Sequence, residues 1–187
     1  MNMKKVALSY FVFIWAISFS FAQKEEYKKP YLPIDSLTKN ITYTKVISIN
    51  ASKDSLYKKG KVWYKTFYKN PTGVIRKDDA TNGLIMGKHQ IKILNPADKK
   101  GVQTMRGIVQ YTITTQFKDN KIRIVLNELN LKETSYTPIE KWLDKSAAGF
   151  TTKNYYYLEQ IDNEMKATLK NFEDFMTKPQ IDKKEDW

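Results

Sequence analysis

The hydrophobic positions change period several times along the chain, and each change marks an element. "ITYTKVISI" (41–49) alternates apolar with polar residues and is β-branched, which predicts a strand. "SKDSLYKKGKVWYKTFYKN" (52–70) mixes six lysines with five aromatics. Wound at about 100° per residue, the helical step, the mixture sorts itself. Leu56, Gly60, Trp63 and Phe67 form one narrow stripe, Tyr57, Tyr64 and Tyr68 flank it, and Lys58, Lys61, Lys65 and Lys69 gather opposite. An amphipathic helix is therefore predicted. Asn50 or Ser52 can cap it, Asp54 suits its first turn, and Asn70-Pro71-Thr72-Gly73 stops it. Gly60 in the stripe lowers helix propensity by about 1 kcal/mol. It makes sense if the helix backbone presses closely on a sheet.

Four strand patterns follow, over 73–79, 83–94, 105–118 and 121–131. Gly87 is a candidate bulge. Lys118-Asp119-Asn120-Lys121 reads as a tight hairpin, since Asp and Asn tolerate positive φ. "TPIEKWLDK" (137–145) predicts a short helix with Pro138 at its first position. After the linker "SAAGFTT", Asn154 can cap a long helix from Tyr155 to about Met176, whose apolar residues recur at helical spacing. The order is β-α-β-β-β-β-α-α. This predicts an α+β fold, one antiparallel sheet with helices packed on one face.

The first residues stand apart from that pattern. A basic Met1–Lys5 segment, an uncharged apolar run from Val6 to Phe21 and the small-x-small site Ser20-Phe21-Ala22 predict a signal peptide over 1–22. Cleavage near Ala22-Gln23 would leave an exported chain, periplasmic or secreted and soluble. With no cysteine in the chain, a lipoprotein anchor, disulfides, thiol catalysis and cysteine-bound metals are excluded. The remainder divides into a flexible leader (23–40), an α+β domain (41–131) and a C-terminal helical extension (132–187).

The net charge of +12 is unevenly spread. Residues 23–70 carry 11 basic against 4 acidic residues, and 71–131 carry 10 against 5. Residues 132–187 carry 9 against 11. A basic body attracts anionic partners or stays a solvated lysine surface. Export disfavours nucleic acid as a partner. An anionic membrane or polysaccharide surface, or an envelope protein or ligand, fits better. The lysine back of the first helix (Lys58, Lys61, Lys65, Lys69) is one candidate surface for such contact.

The strand at 41–49 runs into "SKDSLYKKGKVW", then Asp78-Asp79, "GLIMGK" (83–88) and the "FKDNKIRI" hairpin. Together these resemble a family of exported bacterial domains of unknown function with a TATA-binding-protein-like (TBP-like) fold. The resemblance covers roughly residues 40–131. It implies a curved antiparallel sheet with a helix packed behind it. It implies no activity and no site residues, because a fold does not carry a function.

Catalytic chemistry finds little footing. His89 is the only histidine, so a histidine-rich metal site is impossible, and no serine sits in a nucleophile elbow. Asp78 and Asp79 should point to opposite faces and open a turn. Glu128 has no carboxylate partner in the sequence. Neither phosphate-binding glycine motif occurs. No catalytic residue, metal or cofactor is therefore expected; the alternative is an enzyme of unrecognised type using Asp78, Asp79, His89 or Glu128. In 105–118, Val109, Tyr111, Ile113 and Phe117 should face the first helix. Gln110, Thr112, Thr114 and Gln116, with Lys121 and Arg123 on the next strand, would form a polar platform. That platform is either solvated or binds an extended or anionic ligand. The acidic C-terminal helix, with Glu159, Asp162, Glu173 and Asp174 off its apolar stripe, must bury that stripe on the domain or on a partner.

Overall fold

Period-two alternation and one tight turn decide the centre of the molecule. A computed structural model describes residues 26–179. The predicted signal peptide lies outside the described residues, as do the start of the leader and the last residues of the chain. Strand β4 (Met105–Lys118) turns at Asp119-Asn120 into β5 (Lys121–Lys132), and the two pair antiparallel along their length. Asn120 takes φ 61°, the left-handed conformation that its short polar side chain tolerates. The hairpin tip is anchored on the segment before the first helix. Asn120 N–H donates to Ala51 O (2.9 Å), and Lys53 N–H donates to Asp119 Oδ1 (2.7 Å).

The sheet holds β1 (Tyr43–Ser48), β2 (Ile75–Asp79), β3 (Leu84–Leu94), β4, β5 and β6 (Tyr136–Pro138). Its order is β1-β5-β4-β3-β2, with β6 on the far end of β5. Every pairing is antiparallel. Odd-numbered residues of β4 face the core, where Val109, Tyr111, Ile113 and Phe117 are buried as expected. Helix α1 (Lys53–Phe67) covers this face. Ser52 is its N-cap, accepting from Ser55 N–H through the side chain. Leu56, Gly60 and Trp63 are buried and Phe67 is half-buried, as the helical winding predicts.

Helix α3 (Lys153–Thr177) lies on the same face beside α1, against β1 and β3. Its Leu158, Ile161, Met165 and Phe172 join one cluster with Trp63, Tyr111 and Ile124. The C-terminal extension is thus continuous with the core of 41–131 and not a separate body. Asp162, expected off the apolar stripe, is buried on it. Its carboxylate accepts Tyr43 O–H (3.0 Å) and Lys166 Nζ (2.6 Å), which satisfy the charge. Glu173 reaches Lys45 on β1 (2.8 Å).

Local chemistry moves several boundaries. Residues 71–74 form a short helix, α2 (Pro71–Val74), because Asn70 caps it by accepting from Gly73 N–H (3.0 Å) and Pro71 starts it. The strand expected from 73 therefore starts at Ile75. The bulge expected at Gly87 lies opposite it, between Ile75 and Lys77 of β2. Residues 137–145 supply β6 and a 3₁₀ turn (Ile139–Leu143), with Pro138 ending the strand instead of opening an α-helix. Thr151 Oγ1, not Asn154, accepts from the first amide of α3 (3.1 Å). Part of the leader expected to be flexible is structured instead: Leu32 is buried, Ile34 bridges Ile41, and Asp35 holds the turn between them.

Candidate functional site

The sheet face away from the helices is open. Register places its residues in rows: Leu84, Gln116, Arg123 and Val46, then Met86, Thr114, Val125 and Thr44, then Lys88, Thr112 and Asn127, then Gln90, Gln110 and Asn130. The six platform residues share this face but not one site. Gln116, Lys121 and Arg123 converge with Val46 and Lys118 around a depression of about 190 Å³. Thr114 lies between Met86 and Val125. Gln110 accepts from Gln90 Nε2 (3.3 Å) and from Tyr136 O–H (3.4 Å) at the other end.

Thr112 is buried, for a reason absent from the alternation. A bulge interrupts β5, so that Thr112 faces Asn127 while Gln110 faces Asn130. Glu128 occupies it at φ 51°, a region costly for a side chain of its size. From there its carboxylate accepts Thr112 O–H (2.6 Å) and lies 3.9 Å from Lys88 Nζ. The bulge also restores the core face, because Leu129 and Leu131 follow Leu126 inward. Glu128, without a partner in sequence, thus gains a hydroxyl and an ammonium partner in space.

Cations dominate the open face. Lys77 and Lys88 each have an acidic partner there, Asp79 and Glu128, whereas Arg106, paired with Glu133, lies over the Tyr157 ring of α3. Lys92, Lys118, Lys121, Arg123 and Lys132 take part in no ion pair among the described residues. The lysine back of α1 is less uniform. Lys61 is held by Asp78 (2.7 Å), while Lys58, Lys65 and Lys69 are exposed.

The titratable groups singled out in the sequence do not converge. Asp78 turns to the helix face, where Tyr57 O–H donates to it. Burial alone would raise its carboxyl, but the hydrogen bonds from Lys61 and Tyr57 bring it below the ordinary value. Asp79, on the other face, accepts Asn82 N–H (3.0 Å) and closes the expected turn. No group of three or more potential metal ligands occurs among the described residues.

His89 lies on the helix face between Tyr68 (ring centroids 4.6 Å apart) and Tyr111 (5.9 Å). It lines a cleft of about 580 Å³ with Phe67, Lys69, Arg76, Lys88 and Glu164. The cleft went unforeseen because α1, β3 and α3 meet there from distant parts of the chain. Burial lowers the His89 pKa below 6.5. The unfolded chain therefore binds the proton more readily than the folded one. Stability is full above about pH 6.5 and falls as pH drops toward the folded value. Thermal melts at about pH 7.5 and pH 5.5 should show this drop, and His89→Gln should reduce it. An unchanged pH slope in the variant would assign the drop to other groups.

An antiparallel sheet with helices on one face and a cationic polar surface on the other defines an α+β domain of TBP-like architecture. Residues 43–132 match the family described as domain of unknown function (DUF4468) with TBP-like fold. A DUF4468 family protein from Bacteroides ovatus has a similar structure, with a TM-score of 0.60 at 17% identity. The match covers 82% of this chain and 99% of that one, so the shared fold extends beyond 43–132. A TBP-like protein from Parabacteroides distasonis gives a TM-score of 0.59 at 13% identity, over 73% of this chain and 92% of that one. No curated protein matches the chain.

Proposed function

We propose that this is an exported, non-catalytic binding domain whose open sheet face holds an extended anionic ligand of the cell envelope. The observation that carries this reading is the convergence of Lys118, Lys121 and Arg123 with Gln116 around one depression, without acidic partners among the described residues. Unpaired cations attract anions over a Debye length of about 8 Å at physiological salt. The neighbouring amide and hydroxyl side chains add hydrogen bonds without adding charge. Dispersal of His89, Asp78, Asp79 and Glu128 over separate environments favours binding over catalysis. No helix among the described residues is long and apolar enough to cross a membrane. With the signal-peptide pattern at 1–22, that favours release after cleavage, and the mature protein should begin at Gln23 by intact mass.

The test is co-sedimentation with an anionic polysaccharide such as polygalacturonate, across a salt series. Lys121→Glu with Arg123→Glu should weaken binding about tenfold or more, and added salt should weaken the wild type. Lys58→Glu with Lys65→Glu on the back of α1 should leave it nearly unchanged. The opposite ranking would move the contact to the helix. Absence of binding to polygalacturonate, to other polyanions and to anionic vesicles would end the proposal.

A further inference from the structure

Beyond Gly87, strand β3 loses its outer neighbour. β2 pairs with β3 only from Leu84 to Gly87, and the chain preceding β2 turns into α2. Leu94 shows which backbone groups of the remainder point outward. It donates its N–H to Gln160 Oε1 (3.0 Å) and accepts Gln160 Nε2 on its carbonyl (2.9 Å). Alternation along the strand turns the N–H and C=O of Lys88, Gln90 and Lys92 the same way. The pairing of Ile75 with Gly87 uses the Lys88 N–H, but no strand of the described residues lies beyond it to take up the Lys88 carbonyl or the N–H and C=O of Gln90 and Lys92.

The cleft at His89 abuts this edge. Three successive residues, Lys88, His89 and Gln90, line it. Successive strand residues point to opposite faces, so a cleft that touches all three runs along the side of the strand. No hydrogen bond to the His89 ring nitrogens is made among the described residues, and the ring forms a polar wall between Tyr68 and Tyr111. Lys69 and Arg76 also line the cleft, against the single carboxylate of Glu164.

We propose that the Lys88–Lys92 edge of β3 accepts an extended acidic segment of a partner protein by strand addition, with one of its side chains entering the cleft against His89. Main-chain hydrogen bonds would supply affinity, and the cleft would select the side chain that enters. Five residues of edge span about 16 Å, room for two or three outward-facing backbone pairs. Charge chooses the occupant. Lysines on an open edge repel a second basic copy of this chain, a known guard against self-pairing. A segment carrying Asp or Glu gains from the same cations. The edge is distinct from the depression at Arg123, so this inference does not rest on the polysaccharide reading.

The test uses the full chain and a library of hexapeptides alternating acidic with apolar residues, read by fluorescence anisotropy and amide hydrogen exchange. The strongest binder should slow exchange at Gln90 and Lys92, while β4-facing amides such as Ile91 hardly change. Methylating alternate amides of that peptide should weaken it at least tenfold. Gln90→Pro should do the same, since an edge strand tolerates proline on its solvent side. Arg76→Glu with Lys92→Glu serves if that variant does not fold. A methylated peptide that binds equally well would overturn the proposal. So would slowing confined to Gln116 and Arg123, or a library without any binder.

Discussion

Trp63→Ala should destabilise the protein by about 3–5 kcal/mol, the range for removing a buried tryptophan. Trp63 is 1% exposed and holds two helices together. Its ring stacks on Phe67 (4.6 Å, 15°) within α1 and meets the edge of Phe172 of α3 (4.9 Å). Its indole N–H donates to Asn171 Oδ1 (2.8 Å). Alanine would leave a void bounded by aromatic rings that cannot collapse into it. In urea, the midpoint should fall with little change in slope, which marks lost stability and not a changed unfolded state. Hydrogen exchange should quicken in α3 as well as α1, because Phe172 and Asn171 lose their partner together. Lys58→Ala, on the exposed back of the helix, should stay within about 0.5 kcal/mol of the wild type. A loss below about 1 kcal/mol for Trp63→Ala would mean that α1 and α3 are not packed through this ring.

The sequence exposed this core because its periodicities are strong. Winding 52–70 on a helix puts Trp63 and Gly60 inside, and alternation in 105–118 puts Tyr111 and Phe117 there too. Features that depend on a single backbone angle stayed hidden. Nothing in "VLNELNL" marks Glu128 as a positive-φ residue, since glycine or asparagine is the usual occupant. Without that bulge, Thr112 reads as an exposed platform residue instead of the buried partner of Glu128. Asp162 was misplaced for a related reason. Hydropathy assigns a carboxylate to the outside, and only the meeting of α3 with Tyr43 of β1 supplies the hydroxyl that lets it stay in. The chemistry of the platform was legible, but its division into a basic depression and a neutral end depends on register.

Gly60→Ala should also destabilise the protein, against the rule that alanine improves helices. Propensity alone predicts a gain of about 1 kcal/mol. The sheet forbids it. A Cβ at position 60 would stand 2.3 Å from Cζ and 2.6 Å from Cε1 of Phe117. That ring is 1% exposed and packs edge-on with Tyr57 (5.7 Å), so it has no solvent to swing into. Either the ring leaves its rotamer or α1 lifts from β4, and such overpacking costs about 1–3 kcal/mol. The net loss should be read in the denaturation midpoint. A double-mutant cycle isolates the cause. Phe117→Leu opens a void in the wild type, but in the Gly60→Ala background it makes room for the new methyl. The pair should therefore couple favourably by on the order of 1 kcal/mol. Additive losses would place the strain elsewhere. A gain in stability from Gly60→Ala would show that α1 stands further from the sheet than the Phe117 contact requires, and the glycine would then serve no packing role.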